Sequence, residues 1–596
     1  MCADCAAWKE FESIWHVDFE YRQDANHCLV PVSLFAYEEH TGTEIFLKRD
    51  ELLKLQRAPF GTGPRDLMIA YAANAECSCM LMLNWPLPRN ILDLYVEACA
   101  VLNGRTDLWA NNGRPGLVAM LDLLGLPTMT ADEKQEMRGL ILNNEDYSPA
   151  EWDAIRDYNR RDVDATRTLL PVLAPLFDIR HALLRGRYMA AVAGQELCGL
   201  PINTDYLHTL IEHWPALQCH YIERDDEFGL YEGTSFREWR LQDLIENKKW
   251  DWPRHPTGRL QLATEVISKQ ARRYPELQRL VRLRNSIAEL RISRLANTIG
   301  ADNFSRCPML PFWTRTSRCQ PSAKDKVFLP SLPAWLHGLL APPKDYVLVE
   351  LDWDGQEIAI MAGESGDANM IADYRNGDPH WGFGVRAGLV PAGADKADYQ
   401  ELRNKSLKPV TLGSNYGMTP YGIAHKTKRS LMWARDIHAR HRQTYPTFHQ
   451  WLGDTVAQAK FDRQIVSPFG WPLHVIGATR TRTLKNFPAQ AGGADAMRIA
   501  AIAAAEAGIM VCCSVHDAFW ILAHKDVAER TIEQMREIMV RAGAAVTGGL
   551  PITVSVEAVV PWPMCLGDVR DPKDKGAAMW AEVAGLISGG LQQARG

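Results

Sequence analysis

Two groups of carboxylates, far apart in the sequence, have the spacing to hold divalent cations. Near the amino terminus Asp18-Phe-Glu20 puts two carboxylates at i and i+2, which on a strand share one face. Downstream, Tyr158-Asn-Arg-Arg-Asp162 sets a phenol and a carboxylate at i and i+4, one face of a helix. The second group begins with Asp352, which closes the apolar run Tyr346–Leu351, and Glu357 at the start of a predicted helix. It is completed by His516-Asp517, at the tip between the strand-like runs Val511–Val515 and Phe519–Leu522. Magnesium prefers oxygen ligands, and phosphoryl-transfer enzymes often hold two such ions between carboxylates, one on the attacking and one on the leaving oxygen. Singly, an aspartate at a strand end is ordinarily a turn residue and an Asp-x-Glu on a strand ordinarily faces solvent.

Between the later carboxylates runs Arg403-Asn-Lys-Ser-Leu-Lys-Pro-Val-Thr-Leu-Gly-Ser-Asn-Tyr-Gly417. Lys408, Leu412 and Tyr416 fall at i, i+4 and i+8, on one helical face that drifts about 40° per step. A cation, an apolar side chain and an aromatic ring in that order suit a nucleotide, with triphosphate at one end and base at the other. Pro409 lacks an N–H, so the helix is expected to begin within a turn of it or to bend there. Lys269–Arg294 carries eight cations (Lys269, Arg272, Arg273, Arg279, Arg282, Arg284, Arg291, Arg294) against Glu276 and Glu289, with Leu277, Leu280, Leu283, Ile287 and Leu290 at helical spacing. This predicts a helix with one packed and one basic face, and phosphate contacts made by such a face weaken steeply with salt.

The elements that would position these residues read as follows. The first ~175 residues alternate strands and helices, opening with strands at Ile14–Phe19, Val30–Tyr37 and Glu44–Leu47. Met189 to Asn297 is helical, broken by Gly199-Leu-Pro201 and by Trp252–Gly258. Asn303 to Pro343 is proline-rich and reads as an extended connector. A strand at Val347–Asp352, helices to about Phe461, then strands and one long alanine-rich helix complete the pattern, with Lys573–Gly596 as a short helix and loose end.

Composition bounds the function. The chain has 596 residues, 46% hydrophobic and 23% charged, which excludes disordered and collagen-like classes. Lys plus Arg number 66 against 72 Asp plus Glu, a net charge of −6, so any nucleic-acid partner must be met by a local basic groove. Thirteen cysteines, an odd number spread over a long chain, indicate a reducing cytoplasm, and Cys2–Cys5 has no second pair at finger spacing. No signal peptide, membrane span or Walker A loop is visible in the sequence.

The three later segments together resemble motifs A, B and C of family A DNA polymerases, the DNA polymerase I type. Motif A, usually Asp-Tyr-Ser-Gln-Ile-Glu, reads Asp352-Trp-Asp-Gly-Gln-Glu357; motif C, usually Val-His-Asp-Glu, reads Val515-His-Asp-Ala518; motif B aligns its lysine with Lys408 and its tyrosine with Tyr416. Gly377-Asp-Pro-His380 is similar to a Gly-x-Asp-Ile-His whose histidine faces the triphosphate. Arg482, Asn486 and Gln490 match an Arg-x3-Asn-x3-Gln series at the primer–template junction, and Arg318 an arginine that probes the minor groove. The order is that of the family over roughly residues 185–565. The departures are Leu412 for the motif B aromatic, Asn404 (flanked by Arg403 and Lys405) for an arginine, and Ala518 for the motif C glutamate. The amino-terminal set resembles the proofreading exonuclease of the same polymerases, with Asn74-Ala-Glu76 in place of its usual middle motif. Glu76 is the expected middle carboxylate and Asp93 the alternative.

The resemblance implies an α/β and α+β multidomain chain, a ribonuclease-H-like exonuclease domain followed by a right-hand polymerase domain. Its expected boundaries are 1–178 for the 3′–5′ exonuclease, 179–345 for the thumb and start of the palm, 346–375 for palm with motif A, 376–465 for fingers, 466–570 for palm with motif C, and 571–596 for a tail. No room is left ahead of Asp18 for a 5′-nuclease domain, as in phage-type enzymes. Implied are template-directed DNA synthesis and proofreading, with two Mg²⁺ per site (Mn²⁺ substituting). Asp352 and Asp517 are implied ligands in one site, and Asp18, Glu20, Glu76 and Asp162 in the other, where Tyr158 orients water. Lys408 and His380 are implied to steady the triphosphate, Tyr416 and Leu412 to close on the base pair, His516 and Arg403 to line the substrate site. Expected partners are primed DNA and dNTPs, with a helicase, primase or single-strand-binding protein undefined, in a monomer of the (host) cytoplasm. The rivals are a single-subunit RNA polymerase, disfavoured by Glu357, which would crowd a 2′-hydroxyl, and an exonuclease or DNA-binding protein with a decayed polymerase site.

Overall fold

The computed structural model describes residues 8, 10–109, 115–287, 292–322, 327–562 and 576–589. The chain divides into two compact units, the first comprising residues 1–199, 308–321 and 348–557, the second 200–307, 322–347 and 558–596. Cys2 and Cys5 lie outside the described residues, and the ten cysteines described are free thiols.

In the first unit, strands β1 (Ser13–Gln23), β2 (Leu29–Glu38), β3 (Glu44–Lys48), β4 (Asp66–Ala70) and β5 (Asn90–Asp93) form one sheet in the order β3-β2-β1-β4-β5. The three expected strands are therefore present, β2 and β3 slightly longer than read and β1 extended to 11 residues. β1 pairs antiparallel with β2 and parallel with β4, and the register slips after Glu20. Such a bulge turns the strand locally. Helices α1 (Asn74–Met82), α2 (Leu94–Leu102), α3 (Ala131–Asn143), α4 (Pro149–Leu173) and α5 (Ile179–Cys198) follow. Ser148 caps α4 and Pro149 occupies its first turn, the position where a missing N–H costs nothing. Ile14, Leu67, Ile69 and Leu92 of the sheet bury against Leu169, Leu170 and Leu173 of α4, which aims Asp162 back at β1.

α5 runs so close to β5 that a Cβ at Gly186 would lie 1.8 Å from the Ile91 carbonyl oxygen, so glycine is required there. The contact is sealed by Arg185, whose guanidinium donates to both carboxylate oxygens of Glu97 at 2.9 and 2.6 Å, with both side chains almost fully buried.

The rest of this unit holds a second sheet. β6 (Tyr346–Trp353) precedes α6 (Gln356–Ser365), α7 (Pro379–Arg386) and α8 (Lys408–Asn415). A hairpin of β7 (Gln464–Val466) and β8 (Pro472–His474) leads into the 26-residue helix α9 (Thr481–Glu506), then β9 (Met510–Val515), β10 (Ala518–His524) and β11 (Val554–Pro561). The sheet order β9-β10-β6-β11 puts β6 at the centre. Trp353 is 2% exposed and its indole donates to the Met539 carbonyl, which anchors the end of β6.

In the second unit the basic segment departs from the single helix expected of it. Helix Thr264–Arg273 stops at Tyr274, a 3₁₀ turn covers Pro275–Leu277, and a second helix runs Gln278–Ile287. The cause is Pro275, which removes an N–H and restricts the residue before it. The packed face is as read, with Leu277, Leu280, Leu283 and Ile287 buried; Leu290 and Arg291 lie outside the described residues. Among its described residues the connector forms only two-residue strands and 3₁₀ turns. The short helix expected in the tail is Ala577–Gly589, whose Trp580 is 1% exposed, against Tyr206 and Trp335; the loose end read after it lies outside the described residues. No helix among the described residues is long and apolar enough to cross a membrane.

Candidate functional site

The carboxy-terminal group assembles on neighbouring strands. The β9–β10 hairpin pairs Val515 with Ala518, and His516 takes a left-handed φ of 54° at the tip. This turn projects Asp517 beside the end of β6, where the Trp353 N–H donates to the Asp517 carbonyl at 3.2 Å. Asp352 precedes Trp353, so the two aspartates stand on adjoining backbone. Burial pushes the Asp517 carboxyl up; Arg318 and His516 pull it down and Glu357 pushes it further up. Glu357, in the first turn of α6, accepts from Arg318 Nη2 at 2.8 Å, so these two predicted residues meet each other as well as the aspartate.

Pro409 sits in the first turn of α8, and the preceding Arg403–Leu407 forms a wide π-type turn. The start expected at this proline is thus observed. Lys408 is exposed, Leu412 and Tyr416 are half-buried, and Tyr416 closes the helix before Gly417, at φ 68°. A Cβ at Gly417 would come 2.7 Å from the Lys485 side chain, which sets this corner against the first turn of α9. Arg482, Asn486 and Gln490, at i, i+4 and i+8, share a face of α9, and the buried Asn486 Oδ1 has no partner among the described residues.

His380 is 7% exposed, and its Nδ1 lies against Thr411 Oγ1 of α8. Burial holds its pKa down at about 4; Asp378 opposes this, while Arg403, Lys408 and Lys396 reinforce it. Burial thus favours the neutral ring, which can offer a hydrogen bond. Asp378 is a residue the sequence reading missed. It caps α7 through Trp381 N–H, accepts from Arg403 Nε at 2.6 Å and also pairs with Lys396, which holds its carboxyl at about 2. Of the two cations flanking Asn404, Arg403 joins this cluster, while Lys405 pairs with Glu401 at the surface.

The amino-terminal group also converges. Oxygens of Asp18, Glu20 and Asp162 lie within 4.8 Å of one another. Asp18 accepts from Asn159 Nδ2 at 2.7 Å, a positioning residue inside the Tyr158–Asp162 motif. Burial raises the Asp18 carboxyl to about 7, with Asp162 adding and Asn159 and Lys134 opposing. Burial likewise raises Glu20, reinforced by Asp18 and Asp162. Tyr158 is buried on the face of α4 that carries Asp162. Glu76 on α1 is 4% exposed, is raised by burial and by Asp18, and its Oε2 has no partner among the described residues. Asp93 accepts backbone N–H bonds from Ala72, Ala73 and Tyr95 at 2.8–2.9 Å and caps α2. Its oxygens are thus engaged by these amides. Close, mutually repelling oxygens with unsatisfied atoms match the donor set of a hard divalent cation. Lys134, unremarked in the sequence, donates to Asp162 Oδ2 at 3.0 Å. Its only local signal is Thr130-x-x-Glu133, a capping box that starts a helix there.

Residues 336–563 match the family model for DNA polymerase family A. Over 234 residues the chain is 27% identical to the thermostable DNA polymerase I of Thermus thermophilus, covering 36% of this chain and 26% of that one. It is 24% identical over 359 residues to the DNA polymerase of Mycobacterium phage L5, covering 57% and 56% respectively. The chain thus spans about a quarter of the thermostable relative and just over half of the phage one. Among solved structures, the POL domain of Pol1 from M. smegmatis, in complex with DNA primer-template and dNTP, superposes with a TM-score of 0.68 at 18% identity, over 94% of this chain and 97% of that one. Residues 336–563, which carry both strand-end aspartates and the Lys408–Tyr416 helix, are thus the part of the chain that is similar to DNA polymerase family A.

Proposed function

We propose that the chain copies DNA, joining dNTPs to a primer 3′-hydroxyl, and trims mismatched ends through a 3′–5′ exonuclease built on a ribonuclease-H-like domain near residues 1–178. The observation that carries the first activity is Asp517 lying backbone-to-backbone against the Asp352 strand end, inside the family-matched region. Asp352 and Asp517 would hold divalent ions, Mg²⁺ or Mn²⁺, which when bound activate the primer hydroxyl and neutralise the leaving pyrophosphate. Lys408 meets the triphosphate as a charge and His380 as a neutral hydrogen-bond donor, a positioning and electrostatic role. Arg403 is oriented toward the same place by Asp378. Tyr416 and Leu412 pack on the new base pair, and Glu357, held by Arg318, stands where a 2′-hydroxyl would clash. Arg482, Asn486 and Gln490 follow the primer–template junction, with His516 at its 3′ end. In the second site Asp18, Glu20, Glu76 and Asp162 hold the ions and Tyr158 orients the attacking water.

Similarity to a mycobacteriophage DNA polymerase supports a role in phage DNA replication; we further propose a monomer acting on primed DNA in a host cytoplasm. The test is a 5′-labelled primer on a longer template with Mg²⁺, with and without dNTPs. Lengthening with dNTPs and shortening without them is the expected result. Asp517→Asn abolishes lengthening alone and Asp18→Ala shortening alone; loss of both activities in either variant would sink the two-site reading. Shortening without any lengthening in the unaltered chain would leave only a nuclease.

A further inference from the structure

The amino-terminal carboxylates carry a cation of their own. The reciprocal Thr130–Glu133 bonds fix the start of α3, and Met137, Leu140 and Ile141 pack it against Val32, Ile155 and Tyr158. With the helix so anchored, Lys134, one turn ahead of this apolar patch, reaches Asp162 Oδ2 at 3.0 Å and lies 5.9 Å over the Tyr158 ring. Arg138, one turn on along the same face, adds its field at Glu20. The pair is unequal: the Lys134 side chain is 35% exposed, Asp162 only 10%. Asp162 Oδ1 and Glu76 Oε2, both buried, have no partner among the described residues. One ammonium therefore covers one oxygen of the Asp18–Glu20–Asp162 cluster, an atom that a divalent ion held there would also use.

We propose that Lys134 is a positioning residue that shares Asp162 with the divalent ion, so that loading of this site proceeds by displacing an ammonium. The site then fills at a higher divalent concentration than its carboxylates alone would set. A doubly charged ion reaching Asp162 Oδ1 and Glu76 Oε2 as well has more to gain than the single charge it displaces, so the exchange runs toward the metal. Between loadings, the lysine keeps Asp162 directed at Asp18 rather than turned to water. This inference rests on the reading of Asp18, Glu20, Glu76 and Asp162 as a metal site.

The experiment is Mn²⁺ binding to the full chain, followed by the electron paramagnetic resonance signal of free Mn²⁺. A background of Asp352→Asn with Asp517→Asn silences the other site. In that background Lys134→Gln is expected to bind Mn²⁺ about fivefold more tightly, the affinity equivalent of a partly exposed ion pair, and Lys134→Arg to stay within about twofold of the parent. In the unmodified chain the Mg²⁺ concentration for half-maximal primer shortening falls by the same factor on Lys134→Gln, with the dependence of extension unchanged. Equal or weaker Mn²⁺ binding by Lys134→Gln overturns the proposal while leaving the site intact. Binding that Asp18→Ala does not reduce overturns the metal-site reading itself, and the proposal with it.

Discussion

Replacing Asp378 by asparagine removes one charge and little else, because asparagine also caps helices well. Asp378 accepts from Arg403 at 2.6 Å, pairs with Lys396, and is 7% exposed. Its carboxyl is held at about 2 against the usual 3.8, a gap on the order of 2 kcal/mol. Solvent reaches Lys396, 42% exposed, more than Arg403, 21% exposed, and this screening brings the expected loss to about 1–2 kcal/mol. A depressed folded pKa means that the stabilisation is complete above the unfolded value and disappears as pH falls through the folded one. Urea unfolding of the two proteins is therefore expected to differ by that amount from pH 8 down to pH 5. The difference then narrows below pH 4 and closes near pH 2. A gap within about 0.3 kcal/mol at pH 7, of the size of an ordinary surface substitution, or one that widens in acid, would refute the assignment of Asp378 as the clamp on these cations. The dNTP concentration for half-maximal extension should rise in the same variant, since Arg403 and Lys396 lose their common tether beside His380.

Glu97→Gln should destabilise the first unit by about 3–5 kcal/mol by leaving Arg185 charged and buried, while Glu97→Gln with Arg185→Met recovers most of that loss in a urea double-mutant cycle. Tyr416→Phe should extend primers within about threefold of the parent, because the buried hydroxyl has no partner among the described residues and removing it leaves none unpaired; Tyr416→Ala, which removes the ring, should lose far more in the same assay. Glu76→Gln should abolish primer shortening without lowering the unfolding temperature, whereas Asp93→Ala should lower that temperature through the lost α2 cap, a term of about 1 kcal/mol.

The parts of the site legible in the sequence are those whose signal is local. Asp352 and Asp517 each end an apolar run, and Lys408, Leu412 and Tyr416 share a helical period, so type and spacing sufficed. The choice between Glu76 and Asp93 was not local: it turns on the amides of Ala72, Ala73 and Tyr95 converging on Asp93, a matter of backbone direction after β4 and β5. Asp378 and Lys134 were illegible because each acts on a residue brought near only by folding, Arg403 and Asp162 respectively. The break at Pro275 was legible and was overridden by the strong periodicity of the leucines around it, while the packing of Trp580 had no periodic signal to announce it.

The placement of β6 between β10 and β11 has a consequence for how the molecule comes into being. Asp18 and Glu20 on β1, Glu76 on α1 and Asp162 on α4 all lie within the first 173 residues. The other site needs β6 to wait for the β9–β10 hairpin, since Asp517 reaches Asp352 only when those strands join. Pairings of such long sequence separation close late. During synthesis on the ribosome the proposed trimming site can therefore take shape while the proposed copying site still lacks Asp517. On that reading, a chain truncated before the hairpin would shorten a primer end without extending it.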